Sequence, residues 1–226
     1  MKKTATLLGA TGLIGSEILK QLLKDVYFDE IKIIVRNPYK CDHPKVNVEV
    51  IDFENQVQFE NAMHGSTSIF CAIGTTQKKV KGDKKAYRRV DFDIPVNAAK
   101  WAKKSGANQF IVVSSVGADQ SKNNFYLKLK GEVENALQDT FLKDVKDNQL
   151  SIFRPSLLLG KRSETRIAED IGQFFSKVFK FLIPGKTKPI EAETVAKAMI
   201  ASAKTNQPGV RVYHYRDMIQ LIQEEK

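Results

Sequence analysis

Cysteine and histidine are scarce in this chain. Its 226 residues include two cysteines and three histidines. Cys71 falls in an apolar, strand-like pattern and Cys41 lies beside a proline-containing loop, so the sequence predicts neither a disulfide framework nor a cysteine metal cluster. The three histidines are scattered, without the short spacing of metal ligands. We therefore expect no metal site.

Long apolar runs are also lacking. No stretch free of charge approaches the roughly 20 residues of a membrane span, and Met1-Lys2-Lys3 leads directly into a strand pattern without a signal-peptide core. Nothing resembles a linker between two domains, and 42% hydrophobic residues suffice for one core. We predict a cytoplasmic protein with one domain over residues 1–226, in which residues from about 156 onward form a small elaboration on the substrate side.

Acidic residues are too few to balance the basic ones. The 36 Lys and Arg residues against 26 Asp and Glu residues give a net charge of +10, which suits nucleic acid, an anionic membrane or a polyanionic small molecule equally well. The densest patch interleaves only Tyr87 and is more typical of a loop and helix start than of a base-stacking platform, so nucleic acid is not a favoured partner. The patch comprises Lys78, Lys79, Lys81, Lys84, Lys85, Arg88 and Arg89.

Glycines recur at intervals of three near the amino terminus. Residues Thr4–Leu8 are β-prone, and apolar residues at helical spacing follow from Ile14, so a strand passes into a helix through Gly9, Gly12 and Gly15. Glycine there permits a tight turn and close approach of phosphate, while the free N–H groups of the helix start meet the anion. The alternative is a glycine-rich turn without a ligand. We predict a dinucleotide site that includes Gly9, Thr11, Gly12, Leu13, Ile14 and Gly15.

The residue after the second predicted strand bears on the choice of cofactor. Residues Glu30–Val35 are followed by Arg36, at a position where an acid would favour NAD. A guanidinium can instead hold the 2′-phosphate of NADP by paired charge-assisted hydrogen bonds. We predict a preference for NADP(H). NAD(H) remains an alternative, because Arg36 could simply start a solvated loop.

The third predicted strand, residues 46–51, leads into Asp52 and Phe53. A carboxylate and an aromatic ring at the end of this strand can lie beside adenine, and we predict cofactor contacts for both residues. Asp52 could instead cap the following helix.

The fourth predicted strand, residues 68–72, runs into a segment where glycine permits close approach of the second half of the cofactor. The predicted contacts there are Ile73, Gly74 and Thr75. A long helix is predicted over residues 84–104, with Pro95 as a point of kinking.

Hydroxyl groups and a lysine follow the fifth predicted strand, residues 109–114. Ser114 and Ser115 come at the expected carboxyl edge of the sheet, where polar groups face the ligand crevice. Tyr126 and Lys130 then share one helix face, four residues apart. This pair carries chemistry if it faces the crevice, and is otherwise an ordinary helix-surface pair.

A sixth predicted strand, residues 150–153, ends next to Pro155, which we place near the nicotinamide end of the cofactor. Apolar residues beyond it recur at helical spacing and predict a helix buried in the core. A lid, a subunit contact such as that of a homodimer, or an anionic-membrane contact are the alternatives. The stripe comprises Ile171, Phe174, Phe175, Val178, Phe179 and Leu182.

In this order, the glycine turn, the serine and the Tyr-x-x-x-Lys pair resemble the short-chain dehydrogenase/reductases. The closer resemblance is to the atypical group typified by the HIV Tat-interacting protein, from residue 4 to about residue 185. The segments that carry it are residues 9–15 (GATGLIG), 69–76 (IFCAIGTT), 114–119 (SSVGAD), 126–134 (YLKLKGEVE) and 153–155 (FRP).

The resemblance implies a doubly wound parallel sheet of the Rossmann type, with a catalytic Ser115, Tyr126 and Lys130. Ser114 is the alternative serine, and Tyr126 and Lys130 would also contact the cofactor. Two features depart from the superfamily. The usual Asn-Asn-Ala-Gly after the fourth strand is replaced by Ala-Ile-Gly-Thr at residues 72–75, and the interval from Ser115 to Tyr126 is short.

We therefore expect an NADP(H)-dependent oxidoreductase that acts on a small carbonyl or alcohol. The alternative is a regulatory module that senses NADPH and presents its surface to a protein partner without significant turnover.

Overall fold

The computed structural model describes residues 2–159 and 188–225. Within these ranges the larger sheet has seven strands, all paired in parallel. In chain order they are β1 (Thr4–Leu8), β2 (Glu30–Val35), β3 (Val46–Val50), β4 (Ser68–Cys71), β5 (Gln109–Val113), β6 (Gln149–Phe153) and β9 (Gly209–Tyr213). Two short strands, β7 (Leu158–Leu159) and β8 (Ile190–Glu191), pair with each other.

Helices connect the strands across both faces of the sheet. The described helices are α1 (Leu13–Lys24), α2 (Gln56–Met63), α3 (Lys84–Arg88), α4 (Ile94–Lys104), α5 (Phe125–Leu137), α6 (Ala192–Thr205) and α7 (Tyr215–Glu224). The strand order is β3-β2-β1-β4-β5-β6-β9, so the chain winds outward from β1 in one direction and then in the other. This is the doubly wound Rossmann arrangement, and it confirms the predicted fold class.

Neighbouring residues of the central strands pack into opposite layers. Leu7 and Ile33 pack with α1 and α6, whereas Leu8 and Ile34 pack with α2 and α4. Because both faces of the sheet are covered, the residues of its inner strands are buried at nearly every position, and most of them are apolar. The carboxyl ends of all these strands meet at one edge, and the candidate site lies there.

The helix predicted over residues 84–104 is interrupted. A π-helical turn, Arg89–Asp93, separates α3 from α4, and the Ile94 N–H donates to the Arg89 carbonyl oxygen. Pro95 lies in the first turn of α4 and has no N–H to donate to the turn before it. The wider turn directly precedes Pro95, the predicted point of kinking, and Asp91 within it is buried.

Asn55 caps α2. Its side-chain oxygen accepts a hydrogen bond from the Gln58 N–H at 3.1 Å. Asp52 lies earlier and accepts a hydrogen bond from the Glu54 N–H at 2.9 Å. The alternative role of Asp52 as the helix cap is therefore wrong.

The apolar stripe predicted between residues 171 and 182 falls outside the described residues. Within residues 2–159 and 188–225, no helix is long and apolar enough to cross a membrane.

Gly15 allows α1 to lie directly against the turn that follows β1. A Cβ atom at Gly15 would lie 2.0 Å from the Gly9 carbonyl oxygen. We expect Gly15→Ala to lower the free energy of unfolding by about 3 kcal/mol or more, because two backbone segments must separate.

Gly74→Ala is the matched control, since its Cβ atom would meet nothing closer than Asp91 Oδ1 at 3.7 Å. Its stability should stay within about 1 kcal/mol of the parent. Urea denaturation measures both, and a Gly15→Ala variant as stable as the control would contradict this packing.

Candidate functional site

The glycine turn joins β1 to α1 and touches the segment after β4. Gly9 has φ of +90°, and a Cβ atom there would lie 2.6 Å from the Ala72 carbonyl oxygen, so only glycine fits. Gly12 is the N-terminal cap of α1, and its N–H donates to the Gly9 carbonyl oxygen at 2.9 Å.

The start of α1 is suited to an anion. Within the described residues no side chain caps this helix, so its first backbone N–H groups keep their capacity for a ligand. Thr11 is exposed and Leu13 half-buried, whereas the Ile14 side chain is buried in the core. Ile14 can therefore offer only its backbone. This turn fits the pyrophosphate of a dinucleotide, because no side chain caps the start of α1 and Gly12 places no side chain there.

Arg36 and Asp52 lie at the ends of two neighbouring strands. β2 and β3 are paired with Val35 opposite Val50, so the exposed Arg36 and the exposed Asp52 follow at one edge of the sheet. Phe53 packs edge to face on Phe59, with 5.1 Å between the ring centres. The end of the sheet thus presents a cation, a carboxylate and an aromatic ring.

The segment after β4 is held by two side chains from the next helical stretch. The Thr75 N–H donates to Asp91 Oδ2 at 2.8 Å, and the Tyr87 hydroxyl donates to the Thr75 carbonyl oxygen at 3.0 Å. Gly74 is exposed and Ile73 half-buried. Burial raises the pKa of Tyr87, and Asp91 raises it further, so the phenol stays a neutral donor.

Asp91 also binds Lys130, and this buried ion pair was missed in the sequence. Lys130 Nζ lies 3.0 Å from Asp91 Oδ1, and the two side chains are 7% and 1% exposed. Burial acts to lower the pKa of Lys130, but the Asp91 carboxylate and Tyr126 outweigh it, and the net pKa is raised. Lys130 is therefore an ammonium at neutral pH. The sequence offered one signal for this pair. Asp91 is an acid that lies four residues after Tyr87 and seven before Ala98, spacings that place all three on one side of a regular helix.

Tyr126 lies in the first turn of α5, one turn before Lys130. Asn124 caps this helix by accepting a hydrogen bond from the Leu127 N–H at 3.1 Å. Lys130 Nζ lies 5.8 Å from the centre of the half-buried Tyr126 ring. The burial of Lys130 distinguishes this arrangement from a solvent-exposed pair on a helix surface.

The two adjacent serines have different surroundings. Ser114 Oγ donates to Glu134 Oε1, the carboxylate that also accepts from Arg154 Nε at 2.9 Å and from Arg154 Nη2. Ser115 Oγ donates to the Val116 carbonyl oxygen at 3.3 Å. The Ser114 hydroxyl hydrogen is thus engaged by a buried carboxylate, and Ser115 is the better candidate for a ligand contact.

The strand ends are tied to one another and to α5. The Val116 N–H donates to the Pro155 carbonyl oxygen at 3.0 Å, which joins the segments after β5 and β6. The Asp119 N–H donates to the Leu127 carbonyl oxygen at 3.1 Å. A Cβ atom at Gly131 would lie 2.2 Å from the Gln120 nitrogen, so the backbone of α5 lies against the loop that follows Ser115.

Neither cysteine adds a reactive group to this edge. Cys71 ends β4 and is buried, and burial raises the pKa of its thiol to about 11, so it is protonated at neutral pH. Cys41 is half-buried in the loop after β2. Among the described residues, no group of three His, Cys, Asp or Glu side chains is placed to hold a metal ion.

The family model that matches this chain is one of NAD(P)H-binding domains, and it covers residues 9–206. The chain belongs to the NAD(P)H-binding family. The chain is 35% identical over 202 residues to the rat (Rattus norvegicus) protein HTATIP2, which covers 88% of this chain and 80% of that protein. The resemblance to the atypical short-chain dehydrogenase/reductases is thereby confirmed.

A second relative is the mitochondrial protein FMP52 of Debaryomyces hansenii, 33% identical over 208 residues, which are 87% of this chain and 86% of that protein. Among solved structures, the UDP-N-acetylglucosamine 4-epimerase of Methanobrevibacter ruminantium M1 has a TM-score of 0.72 at 19% identity, covering 95% of this chain and 77% of that one. MoeE5 in complex with UDP-glucose and NAD has a TM-score of 0.70 at 13% identity, covering 99% and 82%. At these identities the structures establish the fold alone.

The Asp91–Lys130 pair can be tested by removing one charge and then both. Lys130→Met should lower the free energy of unfolding by about 3–5 kcal/mol, because it leaves a carboxylate buried without its partner. The double variant Asp91→Asn/Lys130→Met leaves no charge at this pair, and the amide oxygen that replaces the Asp91 carboxylate can still accept from the Thr75 N–H. It should be more stable than Lys130→Met alone when both are unfolded in urea. If the loss of unfolding free energy in the double variant equals the sum of the losses in Asp91→Asn and Lys130→Met, the two residues are not coupled and the ion pair is contradicted.

Proposed function

We propose that this chain is an NADP(H)-dependent oxidoreductase of the atypical short-chain dehydrogenase/reductase class. Its substrate is a small carbonyl compound or alcohol. The observation that carries the proposal is a buried, ionised Lys130 one helical turn from Tyr126, on the edge of the sheet where the glycine turn lies.

The cofactor would be held along this edge. Arg36 would take the 2′-phosphate, which gives the preference for NADP(H) over NAD(H). The other residues that would hold the cofactor are Gly9, Thr11, Gly12, Leu13, Ile14, Gly15, Asp52, Phe53, Ile73, Gly74, Thr75, Tyr126, Lys130 and Pro155. When bound, the nicotinamide supplies or accepts the hydride.

Tyr126 is assigned the proton transfer. In the direction of reduction its hydroxyl donates a proton to the substrate oxygen, and in the reverse direction its phenolate accepts that proton. A free tyrosine has a pKa of about 10 and is a poor base at neutral pH unless a nearby cation stabilises the phenolate. Lys130 supplies that cation. Ser115 donates a hydrogen bond to the substrate oxygen, and Asp91 acts as a positioning residue for Lys130.

Residues from about 156 onward form the substrate side of a single domain in this proposal. Our proposed location is the cytoplasm. The FMP52 relatives are named as mitochondrial proteins, which gives the competing location, and cell fractionation distinguishes the two.

A second candidate function is a regulator that senses NADPH and binds a protein partner. The Asp91 carboxylate favours it, because a partner 3.0 Å away offsets the positive charge that Lys130 offers to Tyr126. Under this candidate the chain binds NADPH as the enzyme would, but turnover is slow or absent.

Cofactor choice is tested by Arg36→Asp. We expect NADPH affinity to drop more than NADH affinity, because the variant removes the cation for the 2′-phosphate and adds an acid suited to the ribose hydroxyls. Gly12→Val is the control. The valine side chain should obstruct the pyrophosphate and so weaken both cofactors alike. The chain should still fold, because the nearest atom to a Cβ at Gly12 is the Gly9 carbonyl oxygen at 3.2 Å. Calorimetry measures the affinities, and an unchanged ratio in Arg36→Asp would assign the phosphate to another residue.

The proton transfer is tested by Tyr126→Phe. We expect NADPH to bind nearly as in the parent while the rate falls about 10²-fold or more, the scale of general acid–base catalysis. Tyr27→Phe is the matched control, since Tyr27 precedes β2 at the opposite edge of the sheet. Steady-state reduction of a panel of carbonyl compounds measures the rates.

Two outcomes of this experiment would count against the enzyme. Carbonyl reduction that survives in Tyr126→Phe refutes the role of Tyr126. A parent protein that binds NADPH but reduces no compound of the panel supports the regulator.

A further inference from the structure

More than half of the net charge lies in one stretch beside the candidate site. We call residues 78–89 the basic segment; it holds seven Lys and Arg residues and one acid, in a chain of net charge +10. All seven basic side chains are exposed. The single acid, Asp83, accepts hydrogen bonds from the N–H groups of Lys85 at 2.8 Å and Ala86 at 3.1 Å as the cap of α3.

The basic segment is attached to the elements that carry the candidate catalytic residues. It follows the segment after β4, and Tyr87 within it binds the Thr75 carbonyl oxygen. Lys84 Nζ lies 5.5 Å from the centre of the ring of Phe125, the residue that precedes Tyr126. Arg88 pairs with Glu132 at 2.5 Å, two residues beyond Lys130. Lys84 and Arg88 therefore border the first two turns of α5.

Most of this charge is not neutralised. Arg88 pairs with Glu132 and Arg89 approaches Glu54 at 3.8 Å. Four lysines form no ion pair with a carboxylate of the described residues: Lys79, Lys81, Lys84 and Lys85. Charges grouped beside a crevice raise the local concentration of an oppositely charged ligand and its association rate.

A small anion fits this surface better than a nucleic acid or a membrane. Base stacking needs exposed rings, but Tyr87 is buried, Phe125 lies beneath Lys84, and the Arg88 guanidinium covers Phe92 at 4.0 Å. Insertion into a membrane surface needs exposed large apolar side chains, and the exposed ones of the described residues lie outside the basic segment.

We propose that the substrate is a carbonyl compound or alcohol that bears a phosphate or carboxylate group, and that the basic segment recognises this group. The inference rests on the proposed function, since it names the substrate class of the same site. The lysines attract the anion to the crevice and hold it while Tyr126 meets the carbonyl oxygen. Lysine is suited to this role because its flexible point charge accepts anions of different shapes.

Matched substrates test the proposal. We would compare D-glyceraldehyde 3-phosphate with D-glyceraldehyde, and succinic semialdehyde with butanal, by kcat/KM at saturating NADPH. The charged member of at least one pair should be preferred by about tenfold or more at low salt, and the preference should shrink as ionic strength rises. Preference in only the phosphate pair or only the carboxylate pair identifies the anionic group.

Charge reversal shows whether these lysines are responsible. In Lys84→Glu/Lys85→Glu the preference should fall about tenfold, and Lys84→Gln/Lys85→Gln should give a smaller loss. The control is Lys143→Glu/Lys146→Glu, which changes the net charge equally at exposed positions before β6, on the opposite edge of the sheet. A preference that is absent from the parent, or equal in the reversed and control variants, would overturn the proposal.

A measurement without turnover separates this proposal from the enzymatic one. Tripolyphosphate binding to NADPH-saturated protein, followed by calorimetry, should weaken about tenfold in Lys84→Glu/Lys85→Glu but not in the control. Such binding in a protein that turns over no carbonyl would support the anion site while the proposed function fails. Turnover of carbonyl compounds without lysine-dependent binding of tripolyphosphate would overturn the substrate class. So would lysine-dependent binding of phosphatidylserine vesicles or single-stranded oligonucleotides in place of tripolyphosphate.

Discussion

The buried ion pair between Asp91 and Lys130 is the interaction on which the candidate site depends. Burying a carboxylate to 1% exposure costs free energy unless the group is paired and hydrogen-bonded. Asp91 meets this need with Lys130 on one oxygen and the Thr75 N–H on the other. The segment after β4, the π-helical turn and α5 are thereby held at fixed positions relative to one another.

This pair also links the backbone geometry to the chemistry. The π-helical turn before Pro95 carries Asp91, and Asp91 keeps Lys130 charged and turned inward within reach of Tyr126. The same carboxylate balances part of the charge that would stabilise a phenolate. In the proposed mechanism, the stabilisation that Lys130 can offer to a Tyr126 phenolate therefore depends on the distances between Tyr126, Lys130 and Asp91.

Most of the fold followed from local patterns in the sequence. The apolar runs of the inner strands and the glycine turn are visible without the structure, because parallel strands are buried on both faces and Gly9 needs a positive φ. Asp91 was missed because the π-helical turn alters the helical phase that a regular pattern assumes, and because its partners lie far along the chain. Adjacent serines were also inseparable by pattern; only the position of Glu134 and Arg154 distinguishes Ser114 from Ser115.

The contact at Gly131 limits how this protein can open. At this point α5 and the loop before it touch backbone to backbone, with no side chain between them to change rotamer. A shift of α5 toward this loop is blocked by the backbone contact, and a shift away lengthens the hydrogen bond from the Asp119 N–H to the Leu127 carbonyl oxygen. Tyr126 and Lys130 are thus carried on a helix whose backbone is fixed against the loop that follows Ser115.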